Sequence, residues 1–344
     1  MNILIIHTAF IGDIALSTPF VRAVSDKYPD ADLYYLTTPA GAALLQNNPL
    51  IKEIIVFDKK GKDKGLKGFF KTAKLLRKYK FHTVFILHRY LRSSFLGYFS
   101  GAKERIGFDV ASGSFLYTKK IKYRKDLHEI DRLLKFVDGE TGKYKVEIYP
   151  SDINVGNIDA IWQKHGIKDQ KIVAVAPGSK WFTKMWPKEY LDELANKLNG
   201  LKNVKIILVG GKEDKEIELK NESKAIDLRG ATSLSDLAEI LKRSDVLVTN
   251  DSSPIHIGSA FEKPFIAAIF GPTVKEFGFT PSNKKNTVIE IEGLECRPCG
   301  IHGHDKCPLG HFKCMREILP EKVFEIVADK LEIKLDNTLK KPEE

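Results

Sequence analysis

Residues 246–260 read VLVTNDSSPIHIGSA, an apolar run that breaks into small polar residues and then opens a helical pattern. A second stretch of this kind, residues 174–187, reads AVAPGSKWFTKMWP. A strand that opens through such a turn into a helix is typical of a parallel α/β sheet, which presents backbone N–H groups and hydroxyls to an anion. Two such turns in one half of the chain suggest a site for a diphosphate, and a nucleotide-sugar is the first candidate.

The same alternation extends outward through the chain in two cycles. Strands are predicted at 2–7, 32–36, 53–57 and 83–87, and again at 171–176, 204–209, 246–249 and 265–270. Helical patterns lie between them at 14–28, 40–46, 66–80, 187–198, 214–222 and 234–241, with a last helix at 321–333. Strands alternating with amphipathic helices predict βαβ units. We therefore expect an α/β fold with two Rossmann-like parallel-sheet domains facing across a cleft.

The chain has 344 residues, which exceeds the ~250–300 residues of a typical single core. We place an N-terminal domain at 1–160, a C-terminal domain at 161–335 and a charged tail at 336–344. The N-terminal sequence MNILIIHTAFIGD has no basic region that would mark a secretory signal. No run approaches the ~20 apolar residues of a membrane span. These features predict a cytoplasmic protein.

The net charge of +10 is concentrated in one segment, where ten basic residues stand against one acid, Asp63. The ten are Lys59, Lys60, Lys62, Lys64, Lys67, Lys71, Lys74, Arg77, Lys78 and Lys80. Apolar residues recur there at helical spacing, so the segment predicts a basic amphipathic helix. It could be a solvated face, or it could contact an anionic membrane surface or a phosphorylated acceptor. Nucleic acid ranks last as a partner because no recognisable binding motif accompanies the charge.

The first strand-to-helix turn, residues 7–19, reads HTAFIGDIALSTP. Gly12 is its only glycine, so the turn is not the G-x-G-x-x-G turn of a dinucleotide site. Asp13 follows at the predicted carboxyl edge of the sheet, where α/β proteins place their ligands. Its carboxylate could act as a general base on a sugar hydroxyl, or it could cap the N–H groups of the helix. Spacing alone favours the cap.

The two later turns supply candidate anion ligands. Ser179 and Lys184, close to Gly178, could meet a phosphate, although the alternative is a loop anchored by Trp181 and Trp186 with a solvated lysine. The turn after residue 250 carries the four candidates Asp251, Ser252, Ser253 and His256. A histidine on a helix is usually structural, but one beside Asp-Ser-Ser after an apolar strand is less often so.

Four motifs occur in the order of a known family. Gly12, Asp13, Thr18 and Pro19 match G-D-x-x-x-x-T-P, and residues 177–179 and 184–187 match P-G-[ST] and K-x-W-P. Asp251, Ser252 and His256 match D-[ST]-G-x-x-H, and residues 270–273 match F-G-x-T. The chain resembles glycosyltransferase family 9, the ADP-heptose:lipopolysaccharide heptosyltransferases, and among them the second-heptose type.

The resemblance implies a GT-B fold that inverts the anomeric carbon without a catalytic metal or other required cofactor. It implies ADP-heptose as donor and a lipid-linked, phosphorylated lipopolysaccharide inner-core oligosaccharide as acceptor, used at the inner face of the cell membrane. Asp13 would be the general base. The donor would be bound by Ser179, Lys184, Asp214, Thr232, Asp251, Ser252, Ser253 and His256. We expect Lys62, Lys64, Lys67 and Lys71 to contact the acceptor.

One departure from the family pattern concerns the donor turn. Ser253 and Pro254 replace the Gly-x that commonly follows Asp-[ST]. Serine still offers an N–H and adds a hydroxyl, and proline is tolerated at a helix start. The alternatives are therefore a GT-B relative that uses another nucleotide-sugar, either a transferase or an epimerase, or a two-domain binding protein without turnover.

The Cys/His-rich segment 296–314 holds all the cysteines of the chain: Cys296, Cys299, Cys307 and Cys314. The spacing C-x2-C-x7-C-x6-C resembles a structural zinc knuckle. Reduced cysteines packed in a loop are an equal alternative, and disulfides are disfavoured because nothing indicates export. We assign this segment no part in catalysis.

Overall fold

The structure is a computed structural model that describes residues 1–220 and 225–333; the tail at 336–344 lies outside the described residues. Within them, two parallel sheets of six strands divide the chain. In the first sheet, the strands lie side by side in the order Glu53–Val56, Asp32–Thr37, Asn2–Ile6, Thr83–Ile86, Glu104–Phe108 and Lys119–Ile121. In the second, the order is Asn286–Ile289, Phe265–Ile269, Val246–Asn250, Lys171–Ala176, Val204–Leu208 and Ile226–Asp227. Each sheet thus has the strand order of a Rossmann fold. The expected α/β class with two Rossmann-like domains is confirmed.

The first sheet and its helices are built from the first 150 residues. Its strands are β1 (Asn2–Ile6), β2 (Asp32–Thr37), β3 (Glu53–Val56), β4 (Thr83–Ile86), β5 (Glu104–Phe108) and β6 (Lys119–Ile121). Its helices are α1 (Ile11–Leu16), α2 (Thr18–Lys27), α3 (Pro39–Leu45), α4 (Gly65–Lys78), α5 (Leu91–Phe99) and α6 (Glu129–Leu134), with a 3₁₀ turn at Ser114–Leu116.

The second sheet follows the same plan. Its strands are β7 (Lys171–Ala176), β8 (Val204–Leu208), β9 (Ile226–Asp227), β10 (Val246–Asn250), β11 (Phe265–Ile269) and β12 (Asn286–Ile289). Its helices are α7 (Asp152–Lys164), α8 (Lys188–Asn199), α9 (Leu234–Arg243), α10 (Ser253–Gly258), α11 (Lys313–Arg316) and α12 (Pro320–Lys330). Turns of 3₁₀ helix occur at Phe182–Lys184, Glu213–Glu216 and Lys275–Phe277.

The central strands of both sheets are apolar on both faces, as parallel strands covered by helices require. In β1 the residues from Ile3 to Ile6 are fully buried, and in β10 Val246, Leu247 and Val248 are at most 1% exposed. The helices bury one stripe each: in α8, Leu191, Leu194 and Leu198 pack into the core of the second sheet. The burial of these strands explains why their sequences carry unbroken apolar runs.

Contacts divide the chain into two units at residues 149 and 150. Residues 150–160, which the sequence analysis places in the N-terminal domain, belong to the second unit. The reason is that α7 packs on α9, where Asn154 Nδ2 donates to Asp236 Oδ1 at 2.8 Å. Residues 276–279 belong to the first unit, because Arg132 Nη2 donates to Phe277 O at 2.6 Å and Glu129 N to Gly278 O at 2.9 Å.

The predicted helix at 14–28 is two helices, α1 and α2, which meet at Ser17. Pro19 has no N–H to donate to the carbonyl four residues earlier, and the hydroxyl of Thr18 donates to Ala15 O at 2.8 Å instead. Ser17 Oγ likewise donates to Ile14 O at 2.7 Å. Hydrogen bonds from these side-chain hydroxyls therefore end α1, although the apolar periodicity of the sequence continues past this point.

The predicted helix at 214–222 is wrong for its described part, which holds only the 3₁₀ turn Glu213–Glu216; residues 221 and 222 lie outside the described residues. Arg229 explains the difference. Its guanidinium donates to Asp214 O at 2.9 Å and to Ile217 O at 2.7 Å. These contacts occupy carbonyls that a continuing α-helix would use for its own hydrogen bonds.

Candidate functional site

The strand order of the second sheet reverses between β7 and β10, which pair as neighbours at its centre. Ligands of open α/β sheets bind outside the carboxyl ends of the strands at such a switch point. The loop that follows β7 begins at Pro177, and the loop that follows β10 begins at Asp251. The two stretches singled out in the sequence are therefore adjacent in the fold.

Lys184 and Asp251 form a close ion pair at this edge. Lys184 Nζ lies 2.5 Å from Asp251 Oδ2, and the side chains are 12% and 9% exposed. Thr273 Oγ1 donates to the same carboxylate oxygen at 2.6 Å. Asp251 thus fixes a lysine from one loop and a threonine from another. Lys184 is neither solvated nor unpaired, so the alternative of a free surface lysine is wrong.

Asn250, the last residue of β10, is a site residue that the sequence analysis missed. Its Nδ2 donates to Pro177 O at 2.7 Å, and its Oδ1 accepts from Trp186 N at 3.0 Å. The side chain is 2% exposed. One amide therefore ties both ends of the loop that carries Lys184. In the sequence, only the position of Asn250 beside Asp251 could have pointed to it. Thr273 belongs to the F-G-x-T motif, but the sequence analysis assigned it no role.

The serine residues of the candidate site lie where the strands end. Ser252 precedes α10, with its hydroxyl 3.5 Å from Thr249 Oγ1 and 3.4 Å from Asn250 O. Ser253 begins α10, and Ser179 follows the buried Gly178; all three serines are half-buried. His256 is 5% exposed. It is the fourth residue of the six-residue helix α10, at the end of its first turn.

Asp214 joins the same edge from the loop after β8. Its Oδ2 accepts from Gly211 N at 2.7 Å. A Cβ on Gly178 would lie 1.7 Å from Asp214 Oδ1, so this carboxylate packs directly against the backbone of the P-G-S turn. Burial raises the pKa of Asp214 above its usual value, and the charge of Glu213 adds to the rise. Thr232 stands apart from these contacts, with its hydroxyl 3.5 Å from Leu228 O.

Asp13 belongs to the first unit, at the third position of α1. Its Oδ2 accepts from Phe10 N at 3.2 Å, so it makes a capping contact while its side chain stays half-buried. Other ionisable groups lie close to it. Burial raises the pKa of Glu129 to about 7; Arg132 opposes this rise, and the charge of Asp13 adds to it. A capping contact does not exclude a role as a base, because a carboxylate has two oxygens and several lone pairs that can accept.

The switch point of the first sheet lies between β1 and β4. His88 Nδ1 lies 2.9 Å from Thr8 Oγ1 and 3.1 Å from Ser93 Oγ, and Lys59 Nζ donates to Thr8 O at 2.7 Å. Burial, with added repulsion from Lys59 and Arg89, lowers the pKa of His88 to about 4. Burial likewise lowers the pKa of His7. Both imidazoles are therefore neutral at pH 7, and the positive charge of this edge resides on its lysine and arginine residues.

The expected basic helix is present as α4, which begins at Gly65. Lys62 and Lys64 precede it in a turn held by the carboxylate of Asp58, which accepts from Gly61 N and Lys62 N. Lys67 and Lys71 are exposed on the helix itself. The four lysines expected at the acceptor are thus all exposed, two of them before the helix and two on it.

The four cysteines are free thiols. Cys314 is 5% exposed in the core, where burial raises its pKa to about 12. Among the described residues, no group of three or more His, Cys, Asp or Glu side chains is arranged to hold a metal ion. The Cys/His-rich segment makes hydrogen bonds with two other loops. His304 N donates to Thr183 Oγ1 at 2.7 Å, and Cys299 N donates to Pro272 O at 2.9 Å. It therefore supports the loops that carry Lys184 and Thr273.

Within the described residues, no helix combines the length and the apolar content that crossing a membrane requires.

The chain is similar to known proteins over most of its length. It is 27% identical over 339 residues to lipooligosaccharide heptosyltransferase 2 of Campylobacter jejuni, and the alignment covers 94% of this chain and 97% of the relative.

Two solved structures share the fold. The glycosyl transferase family 9 protein of Veillonella parvula aligns with a TM-score of 0.85 and 23% identity, covering 96% of this chain and 97% of that one. The ADP-heptose lps heptosyltransferase II of E. coli aligns with a TM-score of 0.79 and 20% identity, covering 96% and 99%. The architecture is thus that of the GT-B heptosyltransferases.

The sequence model that defines glycosyltransferase family 9 (heptosyltransferase) matches residues 69–309 of the chain. The chain is therefore a glycosyltransferase that belongs to this family.

Proposed function

We propose that the protein transfers a heptose from ADP-heptose to a sugar hydroxyl in the inner core of a lipid-linked lipopolysaccharide. The observation that carries the donor half is the buried Lys184–Asp251 pair at the switch point of the second sheet. Family membership and the relatives named as heptosyltransferase 2 support the sugar and the acceptor class. The E. coli relative is named for ADP-heptose, which supports that donor.

The proposed reaction is one displacement with inversion. The acceptor oxygen forms a bond to C1 of the heptose while the bond from C1 to the diphosphate oxygen breaks, and ADP leaves with the electron pair. The hydroxyl proton passes to the carboxylate of Asp13. A sugar hydroxyl is a weak nucleophile, and a positioned base supplies about 10²–10⁴-fold in rate. The scheme uses no metal, and the activity is expected to survive EDTA.

The donor diphosphate is proposed to meet Lys184, Ser179, Ser252 and Ser253, with His256 and Thr232 further along the donor. Lys184 supplies the cation that offsets the charge developing on the departing ADP. Asp251 is proposed to act through Lys184 and Thr273, because its carboxylate is 9% exposed and accepts from both. Asp214 is proposed to bind the ribose, beside Gly178 and Ser179.

The acceptor is proposed to meet the first unit. Its phosphates and acidic sugars would contact Lys62, Lys64, Lys67 and Lys71, which are all exposed. Asp13 would take the proton from the attacking hydroxyl.

The decisive test replaces Asp13 by Asn. The amide oxygen of Asn still accepts from Phe10 N, but it cannot take a proton at neutral pH. We expect kcat to fall by about 10²–10⁴-fold, with the Kd for ADP and the melting temperature unchanged. The matched control is Asp26→Asn, an exposed carboxylate on α2, which should retain full activity. If Asp13→Asn keeps a third or more of the wild-type kcat, Asp13 is not the base.

The donor and acceptor are tested separately. A melting-temperature screen of nucleotide-sugars should single out ADP-heptose, because a ligand at 100 times its Kd stabilises the folded state by about 2.7 kcal/mol. A larger shift with another nucleotide-sugar would favour a different donor, a choice that Ser253 and Pro254 leave open. Transfer assays with acceptors that differ by one core sugar then identify the hydroxyl, and the anomeric configuration of the product tests inversion.

A further inference from the structure

Two large apolar side chains on α4 point away from the core. Leu66 is 76% exposed and Phe70 is 55% exposed. They stand four residues apart, so they lie on one face of the helix. The buried stripe of α4 consists of other residues, including Phe69, Ala73 and Leu76. Leu66 and Phe70 are therefore not part of the stripe by which the helix packs on the core.

Cations lie beside these apolar side chains. Lys67, Lys71, Lys74 and Lys78 are all exposed on α4, and the helix contains no acidic residue. The one acid in the whole basic segment, Asp63, is 3% exposed. Its Oδ2 accepts from Asp58 N at 3.0 Å. Its Oδ1 lies 4.0 Å from Lys71 Nζ, so Asp63 offsets one lysine, and most of the positive charge of the segment faces solvent without a carboxylate of the segment to balance it.

The neighbouring helix extends the apolar part of this surface. The Phe70 ring lies 6.1 Å from the Phe99 ring at the end of α5, and the Phe99 ring lies 5.4 Å from that of Tyr98. Tyr98 is 48% exposed. Aromatic side chains with one polar end are favoured at the boundary between lipid and water. The aromatic residues of the two helices thus form a continuous patch, in which Phe99 is half-buried and links the exposed rings of Phe70 and Tyr98.

We propose that this face of α4, with the adjoining end of α5, docks on the surface of an anionic lipid bilayer. Leu66 and Phe70 would enter the boundary between headgroups and acyl chains, and Lys74 and Lys78 would contact the lipid phosphates. An apolar stripe flanked by cations and free of acids is the pattern of helices that lie in a membrane interface. The proposal rests on the proposed function in one respect, because a lipid-linked acceptor requires work at a bilayer.

The test measures binding of the full chain to vesicles. Vesicles of phosphatidylcholine alone are compared with vesicles that also contain phosphatidylglycerol, by flotation at low and at high salt. We expect binding to the anionic vesicles only, weakened by salt because screening shortens the range of the attraction. A lysine near an anionic surface contributes about a five-fold factor, so Lys74→Gln/Lys78→Gln should weaken binding tenfold or more.

Matched variants separate this surface from charge and hydrophobicity in general. Lys119→Gln/Lys120→Gln removes the same charge from exposed positions on β6 and should bind like the wild type. Leu66→Ser should weaken binding several-fold, whereas Ile153→Ser, which alters a side chain that is 75% exposed, should not. The proposal is overturned if the wild type ignores anionic vesicles or if the controls lose as much binding as the α4 variants.

Failure of this proposal can be told apart from failure of the proposed function. Transfer of heptose to a deacylated acceptor in solution needs no bilayer, and Lys74→Gln/Lys78→Gln should leave its kcat/KM at the wild-type value. A tenfold loss there, with vesicle binding unchanged, would assign this face to the acceptor rather than to lipid and would overturn the docking proposal. If the protein binds vesicles but transfers no heptose, the docking proposal is supported and the proposed function is refuted.

Discussion

Lys184 Nζ lies 2.5 Å from Asp251 Oδ2, and neither side chain is more than 12% exposed. The two residues are 67 positions apart, so the pair joins the loop after β7 to the loop after β10. Asp251 Oδ2 also accepts from Thr273 at 2.6 Å. An incoming diphosphate would therefore meet a lysine whose position is already set, which lowers the entropy lost on binding.

Removing one partner of this pair should destabilise the protein. Asp251→Ala leaves the lysine charge in a desolvated site and Thr273 without its acceptor. Breaking a buried pair in this way costs about 3–5 kcal/mol. Urea unfolding should therefore show a lower midpoint for Asp251→Ala, and ADP titration should show weaker binding.

An exposed pair of similar length provides the control. Lys52 Nζ lies 2.6 Å from Asp32 Oδ2, with side chains 53% and 47% exposed. Asp32→Ala should change the midpoint far less, because solvent screens the exposed charges. Equal losses in the two variants would show that burial does not set the strength of the Lys184–Asp251 pair.

Asn250 is predicted to hold the loop that carries Lys184. Asn250→Leu keeps a similar volume but removes the partners of Pro177 O and Trp186 N. Each buried group left without a partner costs about 1–3 kcal/mol, so unfolding should be easier by about 2–6 kcal/mol in total. Urea unfolding measures this loss, and ADP affinity should fall with it because the loop loses its anchor.

Asn47→Leu serves as the comparison, because Asn47 Nδ2 makes one bond, to Tyr149 O at 2.9 Å, from a half-buried position. It should lose less stability than Asn250→Leu and bind ADP normally. An Asn250→Leu variant that binds ADP like the wild type would remove Asn250 from the site.

The sequence located the candidate site by its turns but not by its contacts. Apolar strands that end just before Pro177 and Asp251 place both turns at one sheet edge, since parallel strands share their carboxyl edge. That Asp251 holds Lys184 depends on which strands are neighbours and on side-chain geometry. Neither is encoded in the local pattern of either turn.

Local hydrogen bonding accounts for the wrong helices. The apolar periodicity of residues 14–28 continues through Ser17 and Thr18, whose hydroxyls end α1. The helix expected at 214–222 is interrupted by Arg229, a residue 12 to 15 positions further along the chain. Periodicity reports which residues are buried, whereas these breaks depend on donors that compete with the backbone.

Gly178 is predicted to be required by the carboxylate that packs on it. In Gly178→Ala the new Cβ would lie 1.7 Å from Asp214 Oδ1, so the carboxylate must move, and we expect its hydrogen bond with Gly211 N to be disturbed. Overpacking of this kind costs about 1–3 kcal/mol. We expect a lower melting temperature and a roughly tenfold weaker Kd for ADP, an order-of-magnitude expectation for one disturbed polar contact.

Gly156 is the matched control, because a Cβ there has no atom within 4 Å and the residue is exposed in α7. Alanine is the better helix former by about 1 kcal/mol, so Gly156→Ala should raise the melting temperature slightly and leave ADP binding unchanged. Normal ADP binding by Gly178→Ala would contradict the placement of Asp214 and Gly178 at the donor.

His88 is predicted to make the protein less stable as the pH falls. Its pKa is about 4 in the folded protein, against 6.5 when unperturbed. Between these values the unfolded chain binds a proton that the folded protein does not, so the free energy of unfolding decreases as the pH falls from 6.5 to 4. The difference corresponds to at most about 3 kcal/mol. Above pH 6.5 this histidine adds no pH dependence.

His88→Gln tests this contribution, because the amide can still bond with the hydroxyls of Thr8 and Ser93 while it cannot titrate. Urea unfolding at pH 7, 6, 5 and 4 should show a shallower loss of stability in His88→Gln than in the wild type. His165→Gln alters an exposed histidine and should follow the wild-type profile. The carboxylates are common to all three proteins. Burial is the main cause of the lowered pKa of His7 and His88 a smaller one, so most of the difference between the profiles reports His88. Parallel profiles for His88→Gln and the wild type would show that His88 protonates in the folded protein as readily as in the unfolded chain.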